Sequence, residues 1–310
     1  MKQQNWYKVS HIFTPKDFPI GYNYASVPFI DRIENNILKV YFSSRNKYNK
    51  SLIFWATFDL NNNFSLLQVS QSPEFELGKL GEFDEYGAMG CQIFNTYTEK
   101  YLYYLGWNLN TSTPFRNAIG AVKWDFETKN YKKIFNGPLL DRSIHDPCFV
   151  ASHHIIKKGD QFYMYYLSCD EWINTNDKLT HKYNIKIATS QNGLNWLPTG
   201  KIAIDYKSSK EYAISVPRVI KQDGIYKMWY SYRGSDSTPN YRIGYAESKD
   251  ALTWVRKDNL VKIDISPIGW DSEMLCYPYI FIHQSQTYML YNGNQYGATG
   301  FGVAKLKNDF

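Results

Sequence analysis

No run of about 18 apolar residues occurs in the 310-residue chain, so no membrane-spanning helix is expected. The opening residues, Met1-Lys2-Gln3-Gln4-Asn5-Trp6, lack the apolar stretch of a secretory signal, which makes a soluble cytoplasmic protein the expectation. Cysteine is scarce. Cys91, Cys148, Cys169 and Cys276 stand singly in apolar segments, with neither the CxxC spacing of a metal site nor a disulfide framework. They are expected to be reduced, mostly buried thiols, and no metal or other cofactor is called for. A dense basic stripe is also missing. The 35 Lys and Arg against 29 Asp and Glu leave a net charge of +6, scattered through aromatic segments, which excludes a nucleic-acid surface.

What the chain has in excess is aromatic residues: 27 Tyr, 18 Phe and 9 Trp. Aromatic and β-branched side chains fit pleated, half-buried surfaces, so the composition points to an all-β protein. A repeat organises them. Leu38–Ser43, Tyr101–Leu105, Tyr163–Ser168, Lys227–Ser231 and Tyr288–Asn292 share one character, and Phe42, Tyr104, Tyr166, Tyr230 and Tyr291 follow one another at steps of 62, 62, 64 and 61 residues by subtraction. Five copies of about 62 residues fill the chain.

Each copy has the same internal order. A first strand precedes the aromatic, carrying a proline in Val27-Pro28, Asp146-Pro147, Val216-Pro217 and Tyr277-Pro278, with Gly90-Cys91 in the second copy. A third strand follows at Ile53, Ile119, Ile185, Ile243 and Phe301, and turn residues separate the runs as in antiparallel meanders. Strands apolar on both faces fit sheets stacked on neighbours. The expected fold is therefore all-β, a five-bladed β-propeller with four-stranded antiparallel blades. The last copy lacks a fourth strand, and Trp6–Val9 lies 22 residues before Pro28, where such a strand would sit. The N-terminal strand is thus expected to close the ring and make residues 1–310 a single domain. A β-sandwich or an open array of sheets is the plain alternative. A WD-type propeller is disfavoured by the period and by the missing GH…WD signature.

In such a ring the leading residues of the first strands and the ends of the second strands rim one mouth of a central funnel. These positions collect Glu85, His145, Asp146, Glu211, Arg218, Asp271 and Glu273 before or within the first strands, and Arg45, Trp107, Trp172, Arg233 and Asn292 after the second. Sugars present apolar faces to aromatic rings and hydroxyls to carboxylates and guanidinium groups, and glycoside cleavage commonly uses two carboxyl groups. Carboxylates crowded in a cleft raise the pKa of at least one of them.

At these residues the sequence resembles the five-bladed β-propeller glycosidases, including glycoside hydrolase families 43, 32 and 62 and the related family 130 of mannoside phosphorylases. His145-Asp146-Pro147 is similar to the Asp-Pro of that group, whose aspartate orients substrate and tunes the acid, and Tyr291-Asn292-Gly293-Asn294 with Thr299-Gly300-Phe301-Gly302 looks like a last-blade signature. Two departures stand out. The hydrolases' base or nucleophile is an aspartate just before the blade-one proline, where this chain has Val27, and their acid glutamate stands two residues before the blade-four proline, where it has Ser215.

The resemblance and the inventory together imply Asp146 with Glu211 or Glu273 as the active carboxylates. Glu85 and Asp271 are secondary candidates, and His145, Arg218, Arg45, Arg233, Trp107, Trp172 and Asn292 are candidate substrate contacts. Each has an ordinary structural alternative: exposed turns for the Glu-Tyr pairs, a buried turn cap for Asp146, salt bridges between blades for the arginines, and a hydrogen-bonded core residue for His145. The arginines suit a carboxylate or phosphate, so the expected ligand is a carbohydrate or nucleotide-sugar, anionic if they converge. The expectation is a glycoside hydrolase-like enzyme. The alternatives are a phosphorylase or transferase with arginine-bound phosphate, or a carbohydrate-binding propeller without catalysis.

Overall fold

Alternating aromatic and β-branched residues fold this chain almost wholly into strands. The computed structural model describes residues 3–307 apart from 19, 20, 97, 176, 177 and 236. β1 (Gln4–Phe13) comes first, followed by a meander of β2 (Tyr22–Glu34), β3 (Ile37–Asn46), β4 (Ser51–Asp59) and β5 (Ser65–Val69), each paired antiparallel with the next. The pattern recurs in β6 (Gly87–Asn95), β7 (Lys100–Leu109), β8 (Phe115–Asp125) and β9 (Asn130–Lys133). It recurs again in β10 (Phe149–Lys158), β11 (Gln161–Thr175), β12 (Lys178–Ser190) and β13 (Leu197–Ile204), and in β14 (Ala213–Gln222), β15 (Ile225–Arg233), β16 (Arg242–Ser248) and β17 (Val255–Arg256). After the short β18 (Val261–Lys262) come β19 (Cys276–His283), β20 (Gln286–Asn292) and β21 (Phe301–Leu306).

That last meander is completed from the other end of the chain. β1 pairs antiparallel with β21, Trp6 opposite Leu306 and Phe13 opposite Phe301, with β18 added in parallel along its outer edge. The innermost strands β2, β6, β10, β14 and β19 pack in succession, and β19 returns to β2, so the meanders stand radially around an axis as a β-propeller. The described helical segments are short 3-10 turns at Pro15–Asp17, Asp258–Leu260 and Asn294–Gly297, and none is long and apolar enough to cross a membrane.

The core lies between meanders, which is where the aromatic excess goes. Phe13, Phe42, Phe54, Phe58 and Phe301 fill one interface, and Phe29, Tyr41, Tyr104 and Val122 the next, all essentially buried. The four cysteines are free thiols.

Candidate functional site

Each innermost strand is kinked by a bulge a few residues from its start, where the register slips: between Ser26 and Phe29, Gly90 and Gln92, Val150 and His153, Ser215 and Arg218, and Cys276 and Tyr279. Bulges re-aim side chains and are concentrated near binding sites. Here they turn Val27, Ala151, Val216 and Tyr277 into one axial cavity of about 660 Å³, where Met89, two residues before the bulged Cys91, joins them. By subtraction these residues are 62, 62, 65 and 61 apart, so they form one layer of the repeat.

Three of the five, Val27 (φ 54°), Val216 (φ 49°) and Tyr277 (φ 57°), adopt left-handed backbone just before a proline. For a β-branched residue this is a real outlier, costing on the order of 1–3 kcal/mol and kept only where neighbours enforce it. The neighbours are identifiable. Asn292 Oδ1 accepts from Val27 N (2.8 Å), Ser152 Oγ from Val216 N (3.1 Å) and Ser231 Oγ from Tyr277 N (2.8 Å), each from the preceding meander in the ring. Asn292 Nδ2 also donates to Ala25 O and Gly300 O, which ties the last meander to the first.

The wall is completed by the ends of second strands and the beginnings of third strands. Arg45, Leu105, Trp107, Leu167 and Arg233 come from the former, Phe115, Asn117, His181, Tyr183 and Tyr241 from the latter or just before, and Tyr296 from the loop after β20. Trp107 is held rigidly. Its Nε1 donates to Ser51 Oγ (3.2 Å), and a Cβ on Gly87 would sit 2.0 Å from that nitrogen, so only glycine opens β6 at this point.

No aspartate or glutamate is among the described residues that line the cavity. Its charges are the guanidinium groups. Arg233 lies over the rings of Tyr241 (4.6 Å), Tyr212 (5.2 Å) and Tyr296 (5.5 Å), donates from Nη1 to Tyr296 Oη (2.6 Å), and leaves Nε buried without a partner. Arg45 lies over Tyr24 and donates to Asn49 Oδ1 (3.0 Å). His181 is stacked on Tyr183, and burial, reinforced by the charge of Arg233, pushes its pKa down to about 4, so the ring is neutral at physiological pH. Tyr183 and Tyr241 share a hydrogen bond between their hydroxyls, and Ser215 Oγ donates to Tyr241 Oη (3.4 Å).

Of the residues singled out from the sequence, Arg45, Trp107 and Arg233 stand in the cavity wall. The carboxylates do not. Asp146 is wholly buried, accepting from Tyr166 Oη (3.0 Å) and Ser143 Oγ (2.6 Å). It precedes β10 by three residues and so lies outside the bulge layer, which passes through Ala151. The alignment of Asp146-Pro147 with the other X-Pro pairs is corrected by five residues. Asp146 instead matches Asp84, bonded to Tyr104 Oη (2.8 Å), and Asp271, bonded to Tyr291 Oη (3.1 Å) and to Lys8 Nζ (2.6 Å). In each case the aspartate stands 20 residues before its tyrosine.

Glu211 is buried in a two-pronged ion pair with Arg256 (2.6 and 2.9 Å). Glu273 is exposed, with its backbone bonded to Asn294 and Arg242. Glu85 Oε2 accepts from Gly81 N (2.6 Å) within its own turn. Arg218 is buried away from the wall, on His153 O (3.3 Å) and over Tyr279. The His145 ring packs against Gly200 of β13, and Trp172 packs behind the wall on Phe115, Phe149 and His181.

The third-strand contributors, His181, Tyr183 and Tyr241, were not singled out from the sequence. The signal for them was available: third strands begin at the same mouth at which second strands end.

Over 304 residues, 98% of this chain and 99% of the other, the sequence is 33% identical to the uncharacterized protein Rv1502 of Mycobacterium tuberculosis (strain ATCC 25618 / H37Rv). The chain belongs to the family of Rv1502. It also shares 29% identity with the 1,2-beta-oligomannan phosphorylase of Thermoanaerobacter sp. (strain X514), over 98 residues, which is 31% of this chain and 33% of that one. No family profile matches.

Among solved structures, one described as a glycoside hydrolase superposes over 99% of this chain and 93% of its own with a TM-score of 0.78 at 15% identity. A thermostable family-43 glycoside hydrolase does so over 95% and 91% with a TM-score of 0.64, also at 15% identity. At these identities the likeness is one of fold. The positions where the resemblance to the glycosidases places the base and the acid, Val27 and Ser215, do face the cavity, but neither carries a carboxyl group.

Proposed function

We propose that this member of the Rv1502 family binds a carbohydrate in the axial funnel, and that it does not hydrolyse glycosides with a pair of carboxyl groups. The observation that carries the reading is the composition of the wall: aromatic rings and hydroxyls, with Val27 and Ser215 where the resemblance to the glycosidases puts the base and the acid, and no Asp or Glu among the described lining residues. A volume of about 660 Å³ falls within the range of small-molecule sites. Trp107, Phe115 and the tyrosines offer apolar faces to sugar rings, while Ser26, Asn49, Ser152 and the phenols offer hydrogen bonds to hydroxyls.

The test pairs binding with turnover. A panel of mono- and oligosaccharides is screened for a rise in melting temperature, and hits are incubated with the protein and assayed for released reducing sugar. A saccharide that stabilises without being cleaved is the expected result. Hydrolysis that survives Asp146→Asn and Glu211→Gln but is lost on changing the wall residue Tyr241 would overturn the non-hydrolytic half of the reading.

A second reading is favoured by the local similarity to a phosphorylase: the arginines hold phosphate, which then attacks the glycosidic carbon in place of water. Turnover that requires added inorganic phosphate and yields a sugar 1-phosphate would select it.

A further inference from the structure

The reading above leaves the ligand's charge open, and Arg233 bears on it. We infer that the funnel selects saccharides carrying an anionic group, a carboxylate or a phosphate, and that this group docks on Arg233. The inference rests on the carbohydrate reading and narrows it.

Arg233 stands at the end of β15 in the cavity wall. Withdrawing a guanidinium from water is costly unless an opposite charge or a full set of hydrogen bonds compensates. Several buried or half-buried cations of this protein have such partners: Arg256 pairs with Glu211 and Asp258, Lys133 with Asp84, and Lys186 with Asp170. Arg218 also keeps an orphaned Nε, but it is packed on His153 O behind the cavity wall, whereas Arg233 lines the cavity. Arg233 has no carboxylate among the described residues. Its surroundings are the rings of Tyr212, Tyr241 and Tyr296, which satisfy one Nη1 bond and leave Nε orphaned.

The rest of the wall does not neutralise this charge. His181 is neutral, burial holds the phenols of Tyr183, Tyr241 and Tyr277 protonated, and the second charge, Arg45, has the same sign. A cavity whose fixed charges among the described residues are all positive, in a low-dielectric wall of rings, attracts and orients an anion. Phenolic O–H groups beside the guanidinium add donors suited to carboxylate or phosphate oxygens.

The experiment is isothermal titration of the full chain with four probes: D-glucuronate, glucose 1-phosphate, glucose and inorganic phosphate. Wild type is compared with Arg233→Gln, Arg233→Lys and a surface control, Arg116→Gln, whose Asp141 partner lies outside the funnel. At least one charged sugar should bind about tenfold or more tightly than glucose, the advantage should vanish in Arg233→Gln, return in part in Arg233→Lys, and persist in Arg116→Gln. Preference for glucuronate identifies a carboxylate. Preference for glucose 1-phosphate, with competition by inorganic phosphate, identifies a phosphate.

Glucose binding as tightly as both charged sugars would overturn the inference while leaving the carbohydrate reading intact, and this comparison needs only wild-type protein. An advantage that survives in a folded Arg233→Gln would also overturn it. Failure of all four probes to bind would count against both.

Discussion

Tyr166 donates its phenolic proton to Asp146 at 3.0 Å, and both groups are shut off from solvent. Ser143 Oγ donates to the other oxygen at 2.6 Å, which closes the turn before β10. The pair recurs as Tyr104 with Asp84 and Tyr291 with Asp271, so Asp146 belongs to a structural repeat that, in three meanders, clamps the loop before the first strand onto the second strand. Removing the acceptor strands two buried donors. Asp146→Ala should therefore cost about 1–3 kcal/mol of stability in urea denaturation, with Asp84→Ala and Asp271→Ala behaving alike. A Tyr166→Phe/Asp146→Ala cycle should show coupling of about 1 kcal/mol. Saccharide affinity in the funnel should change by less than about twofold. An Asp146→Asn variant that folds normally yet loses a catalytic activity would return the residue to the chemistry.

Glu211 and Arg256 form a second such device, with side chains 6% and 9% exposed. Arg256 is also bonded to Asp258, whose carboxylate takes the Tyr230 hydroxyl and so fills in the fourth meander the place held by Asp84, Asp146 and Asp271 elsewhere. Glu211→Gln breaks two buried, charge-assisted bonds but leaves Arg256 paired with Asp258, so it should lose about 1–3 kcal/mol. Glu34→Gln, which breaks a pair with Arg32 in which both side chains are more than half exposed, should lose no more than about 1 kcal/mol. Equal losses in the two variants would show that the buried pair is not special.

These pairs also explain what could and could not be read from the sequence. Strand order, the meanders and the N-terminal strand were legible because aromatic periodicity and turn residues are local signals that repeat. The mouth of the funnel was legible too, since strand direction follows from the order of elements, and Arg45, Trp107 and Arg233 were found that way. The carboxylates misled. A buried Asp clamped by a tyrosine 20 residues on and an Asp aimed into a cavity look alike in one sequence, and the proline after Asp146 imitates the X-Pro of the bulge layer. The wall tyrosines were hidden for the opposite reason: among 27 tyrosines, only their place at the start of a third strand marks Tyr183 and Tyr241, and only the following proline marks Tyr277.

Closure by β1 makes the first residues part of the core. Trp6 is 7% exposed and meets Trp229 edge to face at 6.4 Å, while Trp229 Nε1 donates to Gln4 Oε1 at 2.9 Å. Truncating a buried tryptophan costs about 3–5 kcal/mol, so Trp6→Ala should unfold at a markedly lower urea midpoint. Deleting residues 1–12 should cost more still, because it also removes the ladder that covers β21. A Trp6→Ala protein as stable as wild type would overturn the packing of Trp6 on Trp229, and a 1–12 deletion as stable as wild type would overturn closure by β1.

Acid should destabilise the protein earlier than carboxylate titration alone would. Burial, with the positive charge of Arg218 adding to it, pushes His153 down to about 3, and burial with Arg233 pushes His181 down to about 4, both from an ordinary 6.5. His154, buried beside Arg218, is lowered as well. Each ring is neutral in the folded state and takes up a proton in the unfolded one as pH falls below 6.5, so the unfolded chain binds more protons and stability falls with pH. The loss runs from about pH 6.5 down to each folded value, at a limiting slope of about 1.4 kcal/mol per pH unit per histidine. Glu74, held above its ordinary value by burial, works in the opposite direction but only near its own titration range. Urea midpoints measured without ligand at pH 7, 6, 5 and 4.5 should therefore decline steadily, and His153→Gln should flatten the decline. An unchanged slope in His153→Gln and His181→Gln combined would show that these rings are not neutral, buried groups in the native protein.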